Sequence, residues 1–455
     1  MRAFTVRDAL SAVNGQFFGA PDQLNRPITR VLSDSRAVTD GCLFVAFRGE
    51  RADGHQFMAD CLSRGAACCL SEREPENASE TPCIVVKSTL AAMGALAAWY
   101  RSGFDIPIIG ITGSVGKTTT KEMISAVLAT RLKTHKTEKN FNNELGVPQT
   151  ILNMPEDAQI AVIEMGISDF GEMTRLTAMV HPTIAVISII GDSHLEFLHD
   201  REGVLRAKTE IFSGMQNTDL AIFNGDDPLL RAFHAPVRTI TYGRGEWNDF
   251  IAEDVENLSD GGTKMIIRHD GERHAVHIPA FGEHMVYAAL AGAAAGWAAG
   301  LDWDAIIRGI ANYQTVGNRA RLINTGRITI LSDCYNANPN STAAALKSLS
   351  TLKGRKICIL GDMLELGETT QALHRGVGEC AVQNGIDLII ACGALARHIF
   401  EGARNAGGNA VYFESKDALL ESLAALIQSG DNVLVKASHS MAFEKIVAAL
   451  ETLEK

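Results

Sequence analysis

Gly110-Ile111-Thr112-Gly113-Ser114-Val115-Gly116-Lys117-Thr118-Thr119 is the stretch that decides the fold of this chain. It follows a short apolar run, residues 107–112, and precedes a segment that we predict to be helical from about Lys117. In such a unit, glycines let backbone N–H groups converge on phosphate oxygens, the lysine neutralises charge and the next hydroxyl can bind Mg²⁺. We therefore predict a phosphate-binding loop formed by Gly113, Ser114, Val115, Gly116, Lys117, Thr118 and Thr119.

This loop departs from the strict pattern G-x-x-x-x-G-K-[ST] at one position, because residue 111 is Ile, and Gly113 supplies a glycine three residues before Gly116 instead. The alternative is a chance glycine-rich turn, but the strand before it and the helix after it favour a nucleotide site. A regulatory GTPase or an ATP-driven motor would share this loop. The chain has no guanine-selecting N-K-x-D stretch, which counts against the GTPase.

The apolar pattern on either side of the loop predicts an α/β protein. After the loop, short apolar runs alternate with helical stretches, at residues 160–165, 183–190 and 221–224. This alternation is typical of a parallel sheet built from βαβ units. A second alternation begins after about residue 316, with strands predicted at residues 328–332, 356–360, 387–391 and 433–436. We expect it to form a Rossmann-like doubly wound sheet.

Length and pattern together predict three domains. At about 150 residues per domain, 455 residues correspond to about three. We predict a first domain at residues 1–83, a central P-loop domain at 84–315 that begins with a linker helix within 84–105, and a C-terminal domain at 316–455.

Composition excludes several classes of protein. The net charge of −11 disfavours a general nucleic-acid binder. The nine cysteines form no C-x-x-C pair, so we expect buried reduced thiols and neither disulfides nor a zinc site. The first eight residues contain no apolar run, and the longest uncharged stretch, 285–301, is short for a membrane span. We expect a cytoplasmic protein without membrane insertion, and a monomer.

Two polar residues are predicted to lie beside the phosphate loop. Glu164 closes a buried strand, and His194 follows the predicted strand at residues 183–190. Because parallel strands end at the same edge of a sheet, both side chains should lie near Thr118. Each residue alone is more often structural, but together with a phosphate loop they indicate a Mg²⁺ site.

The chain resembles the Mur ligase family, to which the folylpolyglutamate synthases are related. The resemblance rests on T-G-S-V-G-K-T-T at 112–119, on N-F-N-N-E-L-G-V-P at 140–148, on the strand end at Glu164, on D-S-H-L-E at 192–196 and on A-K-T-E-I-F at 207–212. A first segment with S-D-S-R at 33–36 resembles the UDP-sugar module of the family, which folylpolyglutamate synthases lack.

The resemblance implies roles for individual residues. It implies an ATP-dependent ligase in which Lys117, Glu164, His194 and Lys208 are catalytic. Two Mg²⁺ ions would bind through Thr118, Glu164, His194 and a carbamylated Lys208. From the residues alone, Lys208 could equally be an ordinary lysine on the surface of a helix.

The remaining positions match the binding motifs of the family. The resemblance implies that Arg319, Asp333 and Tyr335 join the phosphate loop in binding ATP, and that the UDP substrate and peptide are bound by Ser35, Arg36, Asn142, Asn143, Asn336 and Asn338.

The third segment indicates which members of the family are most similar. The stretches S-D-C-Y-N-A-N-P at 332–339 and L-G-D-M-L-E-L-G at 360–367 resemble the members that add D-alanyl-D-alanine to UDP-N-acetylmuramoyl-tripeptide. The D-Y-A-H-T-P and D-N-P-R stretches of other members are absent. An amide ligase that adds another amino acid or dipeptide remains an alternative, as does a non-catalytic, nucleotide-switched binding protein.

Two stretches depart from the family pattern. The G-x-H-N-x-x-N motif appears as Gly282-Glu283-His284-Met285-Val286-Tyr287-Ala288, without either Asn, and the V-K-G-S-R-S motif has His439 in place of Arg. In the family these Asn residues usually lie near the adenine, so the resemblance implies no adenine contact for this stretch.

Overall fold

The structure, a computed structural model, describes residues 2–49, 52–77, 79, 81–258, 261–315 and 321–453. Its sheets are formed by three successive stretches of chain. In the first stretch, five strands pair in the order β2-β7-β6-β5-β4, and β1 pairs with β3. These strands are β1 (Phe4–Thr5), β2 (Gln16–Phe18), β3 (Pro27–Ile28), β4 (Arg30–Leu32), β5 (Cys42–Val45), β6 (Cys68–Ser71) and β7 (Cys83–Val85).

Three helices accompany this sheet, namely α1 (Val6–Val13), α2 (Met58–Ser63) and α3 (Thr89–Ser102). Local hydrogen bonds fix where they begin. Thr5 and Asp8 form a reciprocal capping box at α1, and the Ser88 hydroxyl accepts the Ala91 N–H at the start of α3. Helix α3 confirms the helix that the sequence predicted before the phosphate loop.

The second stretch forms a nine-stranded sheet in the order β16-β15-β14-β13-β12-β11-β8-β10-β9. Its strands are β8 (Ile108–Thr112), β9 (Thr134–Lys136), β10 (Ile160–Glu164), β11 (Ile184–Ile187), β12 (Leu220–Asn224), β13 (Arg238–Gly243), β14 (Phe250–Asn257), β15 (Thr263–His269) and β16 (Glu272–Ile278). Strands β8 to β14 pair in parallel, as predicted. The parallel sheet is thus confirmed, and β15 and β16, which the sequence did not predict, extend it as an antiparallel ribbon.

Helices cover both faces of this sheet. They are α4 (Lys117–Leu128), α5 (Gly146–Leu152), α6 (Glu172–Val180), α7 (Leu195–Leu198), α8 (Arg201–Thr209), α9 (Pro228–Ala232), α10 (Glu283–Ala298) and α11 (Trp303–Ala311). The alanine- and glycine-rich α10 is almost wholly buried and packs closely on α4. This confirms that the longest uncharged stretch of the sequence is a core helix.

The third stretch forms a six-stranded sheet in the order β17-β18-β22-β19-β20-β21. All its pairings are parallel except that of β17 with β18. The strands are β17 (Arg321–Asn324), β18 (Thr329–Ser332), β19 (Lys356–Gly361), β20 (Leu388–Cys392), β21 (Ala410–Phe413) and β22 (Asn432–Lys436). The helices are α12 (Pro339–Ser350), α13 (Thr370–Gln383), α14 (Arg397–Asn405), α15 (Lys416–Leu426) and α16 (Glu444–Glu451).

Two further predictions about the chain can be compared with the structure. All nine cysteines are free thiols, and eight of them are buried, as expected. Among the residues that the structure describes, no helix is long and apolar enough to cross a membrane. The predicted boundary at residue 316 and the predicted ligand Arg319 lie outside the described residues, and the boundaries at 83 and 315 stay predictions.

Candidate functional site

The phosphate loop connects β8 to α4. Its geometry explains why residue 111 is Ile and not the first glycine of the usual pattern. Ile111 is fully buried within β8, whereas Gly113 and Gly116 have φ values of 144° and 84°. A Cβ atom on Gly113 would lie 2.0 Å from the Ser188 hydroxyl oxygen, so a side chain does not fit there. The Lys117 ammonium donates to the Gly113 carbonyl oxygen at 2.8 Å. The turn therefore needs glycine at 113 and 116, and not at 111.

Glu164 lies next to the first turn of α4, as the sequence predicted. The Thr118 hydroxyl is 3.0 and 3.1 Å from the two carboxylate oxygens, and the Asn142 amide donates to one of them at 2.8 Å. The Glu164 side chain is 2% exposed. Asn142, which was predicted to bind substrate, therefore orients Glu164 in this structure.

A chain of buried charges continues behind Glu164. The Lys121 ammonium, with no solvent exposure, lies 3.7 Å from the Glu164 carboxylate and 3.0 Å from that of Glu122, which in turn pairs with Lys136. Lys121 also donates to the Thr137 carbonyl oxygen at 2.7 Å. A buried carboxylate requires such compensation, because an isolated charge is strongly disfavoured in the interior.

His194 precedes α7 and lies near two lysines. Burial, together with the charges of Lys208 and Lys117, lowers the pKa of His194 to about 4. Its Nδ1 atom is 3.0 Å from a carboxylate oxygen of Glu365, but it has no partner with hydrogen-bond geometry among the described residues. The ring is therefore held neutral, which leaves a nitrogen lone pair available to a ligand.

Lys208 lies in α8 and is not a surface residue. Its side chain is 1% exposed, and within the described part of the chain its ammonium forms no hydrogen bond or ion pair. Burial, and to a lesser extent the charge of Lys117, lowers its pKa well below the usual value. The structure thus excludes the reading of Lys208 as an ordinary lysine on a helix surface.

A cavity of about 980 Å³ opens between the three stretches of chain. It brings together most of the predicted site residues, namely Ser114, Val115, Gly116, Lys117, Thr118, Thr119, Asn142, Asn143, Glu164, His194, Asp333, Tyr335, Asn336 and Asn338. Gly113, Lys208, Ser35 and Arg36 do not line it.

An ion pair between the buried Lys436 and the half-buried Asp333 stabilises the wall that the third stretch contributes. The Lys436 ammonium lies 2.5 Å from the Asp333 carboxylate and also donates to the Asn336 carbonyl oxygen at 2.9 Å. The Asn338 side chain caps α12 by accepting the Ser341 N–H at 2.8 Å. His439, which replaces the family's arginine, lies beside Tyr335, with ring centroids 5.5 Å apart.

The two positions where the family has Asn do not face the cavity. Met285 and Ala288 are both buried within α10 and offer no polar group. Their neighbour Tyr287 donates instead to the Asp226 carboxylate at 3.0 Å.

Ser35 and Arg36 lie in a short 3₁₀ turn that follows β4. The Arg36 side chain is 88% exposed, and its guanidinium forms a two-pronged contact with Asp34 at 2.8 and 2.9 Å. The turn is accessible to a ligand, but nothing in it is buried or shaped around one.

Sequence reasoning missed several residues that line the cavity, including Phe47, Arg48, Glu72, Glu365 and Lys436. Phe47 and Arg48 follow β5, so their place at a strand's carboxyl end was a signal that could have found them. Glu365 and Lys436 belong to stretches that match family motifs, but nothing in the sequence shows that these side chains reach the cavity.

The donor set fits a magnesium nucleotide. Thr118 and Glu164 offer hard oxygen ligands beside a glycine loop, and Mg²⁺ usually binds through one or two carboxylates together with phosphates and water. Among the described residues, no group of three or more His, Cys, Asp or Glu side chains could bind a metal ion by itself. An ion here would therefore depend on ligand oxygens from the nucleotide or from a modified side chain.

A strand–loop–helix phosphate site beside a buried carboxylate, facing a cavity that three α/β units border, defines a P-loop nucleotide-dependent enzyme. Three domain families match the sequence, namely the Mur ligase family catalytic domain at residues 27–101, the Mur ligase middle domain at 111–296 and the Mur ligase glutamate ligase domain at 318–439. The chain belongs to the Mur ligase family, and it is a ligase.

Several relatives are similar over nearly the whole chain. The UDP-N-acetylmuramoyl-tripeptide–D-alanyl-D-alanine ligase of Bacillus subtilis is 38% identical, and the match covers 98% of both chains. The ligase of the same name from Escherichia coli is 34% identical, with 99% of both chains covered. A crystal structure of MurF from Acinetobacter baumannii superposes with a TM-score of 0.92 at 31% identity over 99% of both chains. The ADP complex of MurF from Thermotoga maritima superposes with a TM-score of 0.84 at 28% identity, over 93% of this chain and 97% of that one.

Proposed function

We propose that this chain is the ATP-dependent ligase that adds D-alanyl-D-alanine to UDP-N-acetylmuramoyl-tripeptide, a step of peptidoglycan precursor synthesis. The observation that carries the proposal is the shared cavity, because the phosphate loop and the Asp333–Asn338 wall face one another across it. Two relatives that carry this name are 38% and 34% identical over almost the entire chain.

The proposed reaction has two steps. The tripeptide carboxylate attacks the γ-phosphorus of ATP in line, which forms an acyl-phosphate and releases ADP. The amine of D-alanyl-D-alanine then attacks the acyl carbon, and phosphate leaves with the bonding electron pair while the amine loses a proton. The product is the UDP-muramoyl-pentapeptide.

The residues of the chain supply charge and position. The Lys117 ammonium would move from the Gly113 carbonyl oxygen to the phosphates and neutralise their charge. Asn142 and Lys121 hold the Glu164 carboxylate in one orientation beside Thr118. Holding the reactants in one cavity supplies a positioning advantage that reaches about 7–11 kcal/mol in ideal cases. Arg319, Asp333 and Tyr335 complete the proposed ATP site.

Magnesium ions complete the proposed site. Thr118, Glu164 and His194, with a carbamylated Lys208, would hold two ions. Bound there, Mg²⁺ would screen the charge between the two anionic reactants. Carbamylation fits the environment of Lys208, because its buried amine has a lowered pKa and no anionic partner among the described residues. A carbamate would turn that amine into an anionic oxygen ligand.

The three units would divide the substrates among them. The first unit, residues 1–83, would bind the UDP part through Ser35 and Arg36, with Asn142 and Asn143 near the peptide. The central unit, residues 84–315, would bind ATP. The third unit, residues 316–455, would bind the dipeptide through Asn336 and Asn338. We expect a cytoplasmic protein, because ATP and UDP-linked precursors are cytoplasmic compounds, and we expect it to be a monomer.

One assay separates this function from its alternatives. Phosphate release from ATP should require both UDP-N-acetylmuramoyl-tripeptide and D-alanyl-D-alanine. Lys117→Ala should lower that rate by about 10²–10³-fold, as is usual when a charge-stabilising donor is lost. Exposed Lys133, which pairs with Asp157 at the surface, provides the control Lys133→Ala, which should keep the full rate.

Other results would identify the alternatives. Release that requires a different amine would indicate an amide ligase with another substrate. Nucleotide binding without release under any combination would indicate a non-catalytic binding protein. Release by Lys117→Ala at the wild-type rate would contradict the assignment of the phosphate loop.

A further inference from the structure

Residues 188–194, which we call the bridging loop, connect the end of β11 to α7 and lie against the phosphate loop. The Ser114 N–H donates to the Ile189 carbonyl oxygen at 2.8 Å, and the Ser188 hydroxyl donates to the Val115 carbonyl oxygen at 2.6 Å. Two successive residues of the phosphate loop are therefore fixed by the bridging loop.

The Ser114 hydroxyl strengthens this connection. It donates to the Gly191 carbonyl oxygen at 3.0 Å, and it accepts the Gly191 N–H and the Ser193 hydroxyl, each at 2.9 Å. Ser114 is 9% exposed. Because three hydrogen bonds converge on one buried hydroxyl, a shift of Gly191 must displace Ser114 or break bonds that are costly to lose in the interior.

The other side of the bridging loop contacts the third unit. The Asp192 N–H donates to the side-chain carbonyl oxygen of Asn340 at 2.8 Å. That oxygen is also 2.8 Å from the position that a Cβ atom on Gly191 would occupy. The bridging loop and α12 therefore approach each other too closely for any side chain at residue 191. Asn340 lies in the first turn of α12, two residues after Asn338.

A second contact supports the same docking. Glu365 reaches His194 at the end of the bridging loop, and Gly367 lies against the Glu196 backbone. The third unit thus touches the bridging loop and helix α7, which follows it, at two separate points, and the first of them lies two residues after Asn338, which was predicted to bind substrate.

We propose that Asn340 is a positioning residue which, through Gly191 and Ser114, holds the phosphate loop in its nucleotide-binding geometry when the third unit is docked. The inference rests on the proposed function only in taking the phosphate loop as the ATP site. Its consequence is that docking of the unit that carries the dipeptide residues sets the affinity for nucleotide.

The test measures ADP affinity in the presence of Mg²⁺ by calorimetry, using the full chain. Asn340→Ala removes the acceptor and should weaken ADP binding by about 5–10-fold, the loss expected for one hydrogen bond. Asn340→Asp keeps an acceptor oxygen at the same place and should restore the affinity. Lys347→Ala is the matched control, because Lys347 pairs with Glu283 at 2.7 Å between the same two units but does not touch the bridging loop.

Hydrogen exchange provides a readout that needs no ligand. Without nucleotide, the amides of residues 113–119 should exchange several-fold faster in Asn340→Ala than in the wild type or in Lys347→Ala. A purely structural role in α12 would speed exchange in that helix and leave residues 113–119 unchanged. If Asn340→Ala does not fold, Asn340→Ser, whose hydroxyl is too short to reach Asp192, takes its place.

Three results would overturn the inference, namely wild-type ADP affinity in a folded Asn340→Ala, an equal loss in Lys347→Ala, or no recovery in Asn340→Asp. These results are distinct from failure of the proposed function. If the wild type releases no phosphate with both substrates but the ADP affinities follow the expected order, the proposed function is wrong and the role of Asn340 stands.

Discussion

Lys208 and His194 show how burial changes the chemistry of a single side chain. Burial and the charge of Lys117 both favour the neutral amine of Lys208, and burial together with the charge of Lys117 also favours the neutral ring of His194. A neutral amine can add to CO₂ and lose one proton, whereas an ordinary lysine, with a pKa of about 10.4, is almost fully protonated at neutral pH. The fold therefore prepares Lys208 for the proposed carbamate.

Chemical rescue tests this carbamate. Lys208→Ala should lower phosphate release by about 100-fold, the upper range for loss of groups around a metal. Acetate should restore part of the rate, because a small carboxylate can occupy the vacated ligand position. The wild-type rate should also fall in CO₂-depleted buffer, measured with the same assay.

A matched rescue with ethylamine separates the two possible states of Lys208. If the residue acts as a cation, ethylamine should restore the rate and acetate should not. That outcome would contradict the carbamate and, with it, the second magnesium ion.

At the scale of elements, α4 carries both residues proposed to bind the nucleotide and the charged residues that support Glu164 beside them. Thr118, Lys121 and Glu122 recur at helical spacing, so one face of the helix meets β10 at Glu164 and β9 at Lys136. The chain of alternating charges compensates Glu164 in the interior.

Removing Lys121 should therefore destabilise the protein. Lys121→Met leaves Glu164 buried without its cation, and we expect the free energy of unfolding to decrease by about 3–5 kcal/mol. Urea denaturation would measure it. Lys133→Met, at the exposed pair with Asp157, should change the stability by less than about 1 kcal/mol. Equal stability of wild type and Lys121→Met would show that the buried pair does not matter.

The loop after β19 depends on a histidine in α13. His374 is fully buried; its Nε2 atom accepts the Met363 N–H at 3.0 Å, and its Nδ1 atom donates to the Thr370 carbonyl oxygen at 2.7 Å. Burial is the main cause of the lowered pKa of His374, and the charge of His398 lowers it further. The hydrogen bond to Thr370 and the charge of Asp362 raise the pKa, but their effect is smaller. Protonation would remove the acceptor for Met363, in the loop that carries Glu365.

This arrangement predicts loss of stability in acid. Because the folded pKa lies below the unfolded value of about 6.5, the unfolded chain binds more protons as pH falls through that value. The contribution of His374 is complete above about pH 6.5 and decreases below it. Between pH 7.5 and 5.5, the free energy of unfolding should decrease less in His374→Gln than in the wild type. The comparison with the variant is needed because burial also lowers the pKa of His135 and His284. An identical pH dependence in both proteins would contradict this role.

At the scale of the whole molecule, the proposed function assigns the substrates to units that are far apart in sequence. The proposed UDP contact Arg36 lies in the first unit, outside the cavity that contains the phosphate loop. Its effect on binding should therefore be separate from that of the nucleotide residues.

Arg36→Ala should raise the KM for UDP-N-acetylmuramoyl-tripeptide by roughly 10-fold, since a charge-assisted hydrogen bond contributes about 1.5–3 kcal/mol. The KM for ATP should stay within about 2-fold, the range of a surface substitution. Initial rates with each substrate varied would measure both. Arg7→Ala, another exposed arginine of the first unit, is the control and should alter neither KM. Equal changes in both constants for Arg36→Ala would contradict its proposed role.

Much of this protein follows from local sequence signals. The strand–glycine–lysine pattern at 108–119, the alternation of apolar runs with helices, and the capping residues at Thr5, Ser88 and Asn338 act over a few neighbouring residues. The sequence alone therefore predicted the parallel sheets, the position of α4 and the place of Glu164 at the end of β10. These features depend on backbone geometry and on the spacing of apolar residues, and both are set by residues close together in the sequence.

Other features depend on which side chains meet in space, and only the tertiary structure decided them. The antiparallel ribbon of β15 and β16, the partners of Lys121 and the burial of Lys208 arise from packing between distant segments. Asn340 reaches Asp192 across 148 residues. No local pattern encodes such a contact, because the free energy of a buried charge or hydrogen bond depends on the elements that exclude water around it.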